Sequence, residues 1–110
     1  IKSNQEDYDI TVIIDNTQVK RIQVKATDLQ NENRNNSIDG TEKAYDYLVI
    51  VIHNSTDKTD RFFVLTKAEA DAERGRQMKM ATSQKQNGIY VVKHSLIQHE
   101  NTWDKLKGII

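Results

Sequence analysis

The chain has 110 residues, with 16 Lys+Arg against 16 Asp+Glu, no Cys and no Pro. That length is one domain's worth, since domains cluster at about 100–150 residues; the lack of cysteine excludes a disulfide framework, a thiolate metal site and a thiol nucleophile. Balanced charge excludes a chain-wide basic footprint for nucleic acid and leaves only a local basic stripe open, and no apolar run approaches the ~18 residues of a membrane helix.

The chain opens on Ile1-Lys2-Ser3, which is neither a signal nor a transit peptide. Without a leading methionine it reads as a piece of a longer gene product. Tyr8 to Ile14 is rich in β-branched residues and predicts a strand. Asp15-Asn16-Thr17 has turn composition. Val19 to Ala26 predicts a second strand, with Ile22, Val24 and Ala26 on one face and Gln23, Lys25 and Thr27 on the other. The two runs form an antiparallel hairpin.

Asp28 to Lys43 is polar and Asn-rich and reads as a long loop. Tyr45 to His53 is nearly all apolar, the pattern of a strand covered on both faces. Asn54 to Asp60 is a turn, and Arg61 to Leu65 the next strand. Thr66-Lys67-Ala68-Glu69 matches a capping box and predicts a helix to about Arg74 or beyond, its continuation weakened by Gly75. Met78 to Gly88 is polar and ambiguous between elements. Ile89 to Lys93 is a short strand. Ser95-Leu96-Ile97-Gln98 is a second capping-box match, and Asn101 can cap a final turn over Thr102 to Lys107.

Hairpin geometry carries the chemistry. Asp9 and Gln23 are equidistant from Asn16, so a turn there brings them opposite one another. Lys25 follows Gln23 on the same face. One carboxylate, one amide oxygen and one ammonium then converge. Such a set suits metal-assisted phosphodiester hydrolysis, because Mg²⁺ takes hard oxygen ligands and draws only one or two carboxylates from a protein. Asp9, Gln23 and the Val24 carbonyl would hold Mg²⁺ or Mn²⁺, and Lys25 would serve the attacking water and the phosphoryl oxygens. The same spacing is met by a plain amphipathic strand whose Gln23 and Lys25 face solvent.

Tyr8-Asp9-Ile10 followed by Ile22-Gln23-Val24-Lys25-Ala26-Thr27 resembles the PD-(D/E)XK nuclease superfamily, to which the restriction-endonuclease-like fold belongs. Tyr45 to Ile52 and Arg61 to Lys67 look like the later strands and the helix start of its bacterial members. The resemblance implies an α/β domain over residues 1–110 with a mixed central sheet flanked by helices. It implies Asp9, Gln23 and Lys25 as catalytic residues, Asp9, Gln23 and Val24 as metal ligands, DNA as substrate, and a cytoplasmic location. Cutting both strands of a duplex would need two sites, hence a homodimer or a larger partner.

The sequence departs from the family at three points. Residue 23 is Gln where Glu is usual. The proline of the family name is replaced by Asp7 or Tyr8. The usual first strand and preceding helix, with its extra Glu, are not visible in residues 1–7. These departures leave a second reading, a catalytically inactive nuclease-fold domain that binds nucleic acid or serves assembly. A third reading is a small structural or interaction domain whose polar row is accidental. Elsewhere, His53, His94 and His99 read as surface or strand-end histidines, and Arg74, Arg76, Lys79 and Lys85 as a solvated basic strip. Lys20 and Arg21 could form a phosphate-facing edge beside the site.

Overall fold

Two β-rich runs at the start of the chain build half of the main sheet. The computed structural model describes residues 6–13, 18–29, 37–39, 44–53, 59–76 and 79–107, with the backbone alone at 6–9, 37 and 39. In chain order the strands are β1 (Glu6–Ile13), β2 (Val19–Asp28), β3 (Ser37–Asp39), β4 (Tyr47–His53) and β5 (Arg61–Thr66). Helix α1 (Lys67–Arg74) follows, then β6 (Lys79–Ala81), β7 (Ser83–Gln86), β8 (Ile89–Val92), a short helix α2 (His94–Ile97) and a 3₁₀ turn (Trp103–Leu106). The fold is α/β.

The main sheet has the order β1-β2-β4-β5. β1 and β2 pair antiparallel, as the hairpin predicts, although the turn expected at Asp15–Thr17 lies outside the described residues. β4 then runs parallel to β2 and antiparallel to β5. A mixed sheet results, with β2 and β4 in its interior. The backbone of residues 99–101 lies along β5: Val64 N–H donates to His99 O at 3.0 Å, and Asn101 N–H donates to Phe62 O at 2.9 Å. Arg61 Nε donates to Glu100 Oε2 at 2.7 Å beside this seam.

Both sheet faces are covered, which explains the unbroken apolar run of β4. On one face Leu48, Ile50, Ile52, Phe63 and Leu65 pack with Ile38, Ala70, Met80, Val92 and Leu96 in one buried cluster. On the other, Ile22, Val49 and Val64 pack under Leu106, flanked by half-buried Val12, Val24, Tyr47 and Val51. Trp103 stays 45% exposed and tilts against Phe62 at 6.1 Å between ring centroids. Among the described residues no helix is long and apolar enough to cross a membrane.

Helix α1 forms as its sequence predicts. Thr66 Oγ1 accepts from Glu69 N–H at 3.2 Å, and Glu69 Oε1 accepts from Thr66 N–H at 2.9 Å. The helix ends at Gly75, whose φ of 61° lies in the left-handed region.

Other expectations are corrected. The loop expected over Asp28–Lys43 is interrupted by β3, which pairs with β6 and buries Ile38 opposite Met80. Asp28 itself ends β2. The polar stretch Met78–Gly88 contains β6 and the first strand of a β7–β8 hairpin. Asn87 (φ 54°) and Gly88 (φ 83°) supply the paired positive φ values that a two-residue hairpin turn requires. Ser95 does not cap α2; it lies inside that helix, and its hydroxyl donates to Glu73 Oε1 at 2.7 Å. Nor does Asn101 cap the final turn. It takes φ 56°, Thr102 occupies the cap position, and the Thr102 hydroxyl contacts Val64 O at 2.8 Å and His99 O at 2.9 Å.

Candidate active site

β2 carries a polar row inside the sheet. Gln23 is 7% exposed, Lys25 1% and Thr27 2%. Parallel partners share a face, and theirs are Leu48, Ile50 and Ile52 of β4. The row therefore lies on the more heavily covered face, and the solvent-facing reading of Gln23 and Lys25 is overturned. The cause is the layer built by Ile38, Ala70 and Met80, which come from elements with little or no strand signal of their own. Neither Gln23 nor Lys25 is without a partner.

The register on the other side is the predicted one. Asp9 stands opposite Gln23, and Asp7 opposite Lys25. Two rows therefore cross the sheet: Asp9–Gln23–Leu48–Leu65 and Asp7–Lys25–Ile50–Phe63. Each sets an acidic position of β1 beside a polar side chain of β2, with apolar residues beyond. Asp7 is one of the two residues standing where the family name has its proline. Its signal is the alternation Asp7-Tyr8-Asp9, which puts both acids at positions of one face.

One step along the strands, β2, β4 and α1 are stitched together. Arg21 N–H donates to Asp46 Oδ2 at 2.9 Å, Asp46 N–H to Arg21 O at 2.9 Å, and Lys67 N–H to Asp46 O at 3.1 Å. Lys67 Nζ lies 4.6 Å from the buried Tyr45 ring and 2.9 Å from Asp71 Oδ1. The Lys67 hydrogen bond leads the causes that hold the Asp71 carboxyl below its ordinary value. Of the cations expected to edge the site, Arg21 is exposed and Lys20 half-buried, and as neighbours on one strand they point to opposite faces. Arg74 belongs less to a solvated strip than to an ion pair with Asp71 at 3.5 Å.

The donor set fits a hard divalent ion in type. By residue type Asp9 would bring a carboxylate, Gln23 an amide oxygen and Val24 a backbone carbonyl. Among the described residues no group of three or more His, Asp or Glu side chains could hold a metal.

A second polar cluster joins α1 to the end of the chain. Lys105 Nζ donates to Glu69 Oε1 at 2.7 Å, Val64 O at 2.8 Å and His99 Nδ1 at 3.0 Å. All three ammonium hydrogens are used. An ammonium cannot accept, so Nδ1 of His99 is the acceptor and its imidazole is neutral. Burial, then the Lys105 charge, pushes the His99 pKa below its ordinary value. For Glu69 burial works the other way, yet the hydrogen bonds from Lys105 and Thr66 hold its carboxyl low overall. His99 is thus no surface histidine; its burial follows from the pairing of residues 99–101 with β5, a long-range contact.

Comparison of the chain with protein-family models, with curated proteins and with solved structures finds no match.

Proposed function

We propose that this chain is a nuclease-like domain that hydrolyses DNA phosphodiester bonds with a divalent metal, Mg²⁺ or Mn²⁺. The observation that carries the reading is the buried polar row of β2 facing two acidic register positions of β1. A sheet covered on both faces gains nothing in stability from Gln23 and Lys25 there, because buried polar and charged groups cost free energy that apolar side chains do not. The strand order lends further support, since the Gln-x-Lys strand is flanked by the Asp strand on one side and the apolar β4 on the other.

Asp9 and Gln23 would hold the ion with the Val24 carbonyl. The chemistry such an ion supplies when bound is Lewis-acid polarisation of the phosphoryl group. Lys25 would donate to a phosphoryl oxygen, offsetting charge as the water oxygen bonds to phosphorus and one P–O ester bond breaks. Restriction-endonuclease-like is the fold name this reading carries. A cytoplasmic location and a dimer for duplex cleavage go with it.

One observation favours the rival reading of an inactive nucleic-acid-binding or assembly module. Residue 23 is neutral and Lys25 is only 1% exposed, so both charge and access at the site are reduced. Nicking of supercoiled plasmid with Mg²⁺, Mn²⁺ or EDTA separates the two. Metal-dependent nicking that Lys25→Ala abolishes, with DNA binding retained, supports the enzyme. Salt-sensitive DNA binding with no nicking supports the module. Neither activity, together with no Mn²⁺ binding that Asp9→Asn removes, would sink both.

A further inference from the structure

We propose that a second copy of this chain adds to the outer edge of β1, the two β1 strands pairing antiparallel about a two-fold axis at Ile10. The order β1-β2-β4-β5 gives the main sheet two edges. The chain closes one of them itself. Glu100 bridges to Phe63, and the backbone of His99 and Asn101 bonds to Val64 and Phe62 of β5. Along the other edge, among the described residues, β1 pairs with β2 alone. A strand edge with open N–H and C=O groups is a template for another strand.

β1 also lacks most of the devices that keep an edge single. It carries no Pro, Gly or Lys, and its charges are confined to Glu6, Asp7 and Asp9. The half that follows, Ile10 to Ile13, is neutral. Ile10 is 48% exposed, Ile13 74%, and Val19, opposite Ile13, 52%. Lone exposed apolar residues are ordinary. Three on one strand pair, divided between both faces of the sheet, mark an edge open to a partner.

The charge pattern selects a copy of this chain in antiparallel order. Parallel pairing in register would set Glu6, Asp7 and Asp9 against their own copies, and like charges in opposition are destabilising. Antiparallel pairing about Ile10 sets position 7 opposite 13, 8 opposite 12, 9 opposite 11, and 10 opposite its copy. Each pair joins two odd or two even positions, as it must for opposite residues to share a face. The acidic positions Asp7 and Asp9 then stand across from Ile13 and Thr11, and no acid stands directly across from an acid. On the other face the register row sets Tyr8 against Val12 and Ile10 against Ile10, aromatic with β-branched and β-branched with β-branched. Val12 already packs against the cluster of Ile22, Val49 and Val64, so the added strand continues that apolar face across the axis. The interface is isologous, and the doubled sheet stays within the usual range of up to about ten strands. A net charge of zero sets no chain-wide repulsion against it. The pairing needs nothing of the polar row on β2, and stands or falls apart from the nuclease reading.

The chain has no cysteine, so a single introduced thiol reports its own neighbour. In the full chain, Ile10→Cys is expected to give a disulfide-linked dimer under mild oxidation, because Cβ atoms directly opposite stand about 4.5–5.5 Å apart. Ile13→Cys, at the more exposed position, should link about tenfold more slowly or less, since its copy lies roughly 20 Å along the strand. Equal rates, or faster linking at position 13, would mean collision governed by exposure and would overturn the pairing.

Sedimentation of the wild type from about 1 to 300 µM should show the mass double. Ile10→Lys and Ile10→Glu should each remain monomeric with the wild-type far-UV spectrum, and the two mixed should form a heterodimer, because opposite charges then meet at the axis. A wild type monomeric throughout, a lysine variant that still dimerises, or a mixture that stays monomeric would each overturn the proposal. Should a charged variant fail to fold, the comparison of the two cysteine variants decides.

Discussion

Lys105 and His99 sit 3.0 Å apart, nitrogen to nitrogen, with the ammonium donating to Nδ1 of the ring. The contact exists only while His99 is neutral. Protonation would set two cations against each other, with Glu69 at 3.8 Å from the ring offering incomplete relief.

Stability should therefore fall as pH drops below 6.5. The folded His99 pKa lies below its ordinary 6.5, so below that pH the unfolded chain binds the proton more readily. Its contribution is whole above 6.5 and is lost as pH falls from there toward the depressed folded value. The Glu69 contribution, from a carboxyl held below 4.5, is lost only at lower pH. Urea midpoints between about pH 7 and pH 5 should slope downward in the wild type and flatten in His99→Gln. An unchanged slope in the variant would show that His99 is not the responsible group.

Thr66→Ala removes one of the two reciprocal bonds at the start of α1. The loss should be about 1 kcal/mol by urea denaturation, the usual worth of a capping hydroxyl. Because Glu69 also receives Lys105, the effects of Thr66→Ala and Lys105→Met should not add. Strict additivity would mean that the cap and the C-terminal cluster act independently.

Gly88 holds φ 83° with open space where a Cβ would stand, so the cost of Gly88→Ala is conformational rather than steric. It should destabilise the chain by about 1 kcal/mol. Hydrogen exchange should show the loss first in β7 and β8. Unchanged protection of that hairpin would contradict the turn assignment.

Arg21 is the exposed cation beside the polar row. If the phosphate backbone crosses the sheet at that end, Arg21→Ala should weaken DNA binding and reduce the steepness of its salt dependence by about one unit of log K against log salt. Equal salt dependence in wild type and variant would place the backbone elsewhere.

What could be read from the sequence was what neighbouring residues decide. The Asp9–Gln23 register followed from a short hairpin, the α1 start from a reciprocal cap, and β4 from a run of apolar residues too long for a one-sided strand. The Asn87-Gly88 hairpin was equally local, but Ser83–Gln86 is so polar that its strand signal was lost. Other features were decided at a distance. Ser95 satisfies a capping pattern yet is claimed by Glu73, a residue of another helix. Ile38 sits between Ser37 and Asp39, and only its pairing with Met80 makes that triplet a strand. The burial of Lys25 could not be foreseen, because the residues that cover it are far away in the chain.

The parallel pairing of β4 with β2 has a consequence for biosynthesis. An antiparallel hairpin closes within microseconds of leaving the ribosome, whereas β4 docks only after the intervening crossover has been made and its loop closed. Until then Lys25 of a nascent chain sits in water, an ordinary lysine on an edge strand. Whatever special environment that amine acquires is created late, by the arrival of Ile50 and the layer above it, so a truncated or stalled chain would carry the residues of the site without its dielectric.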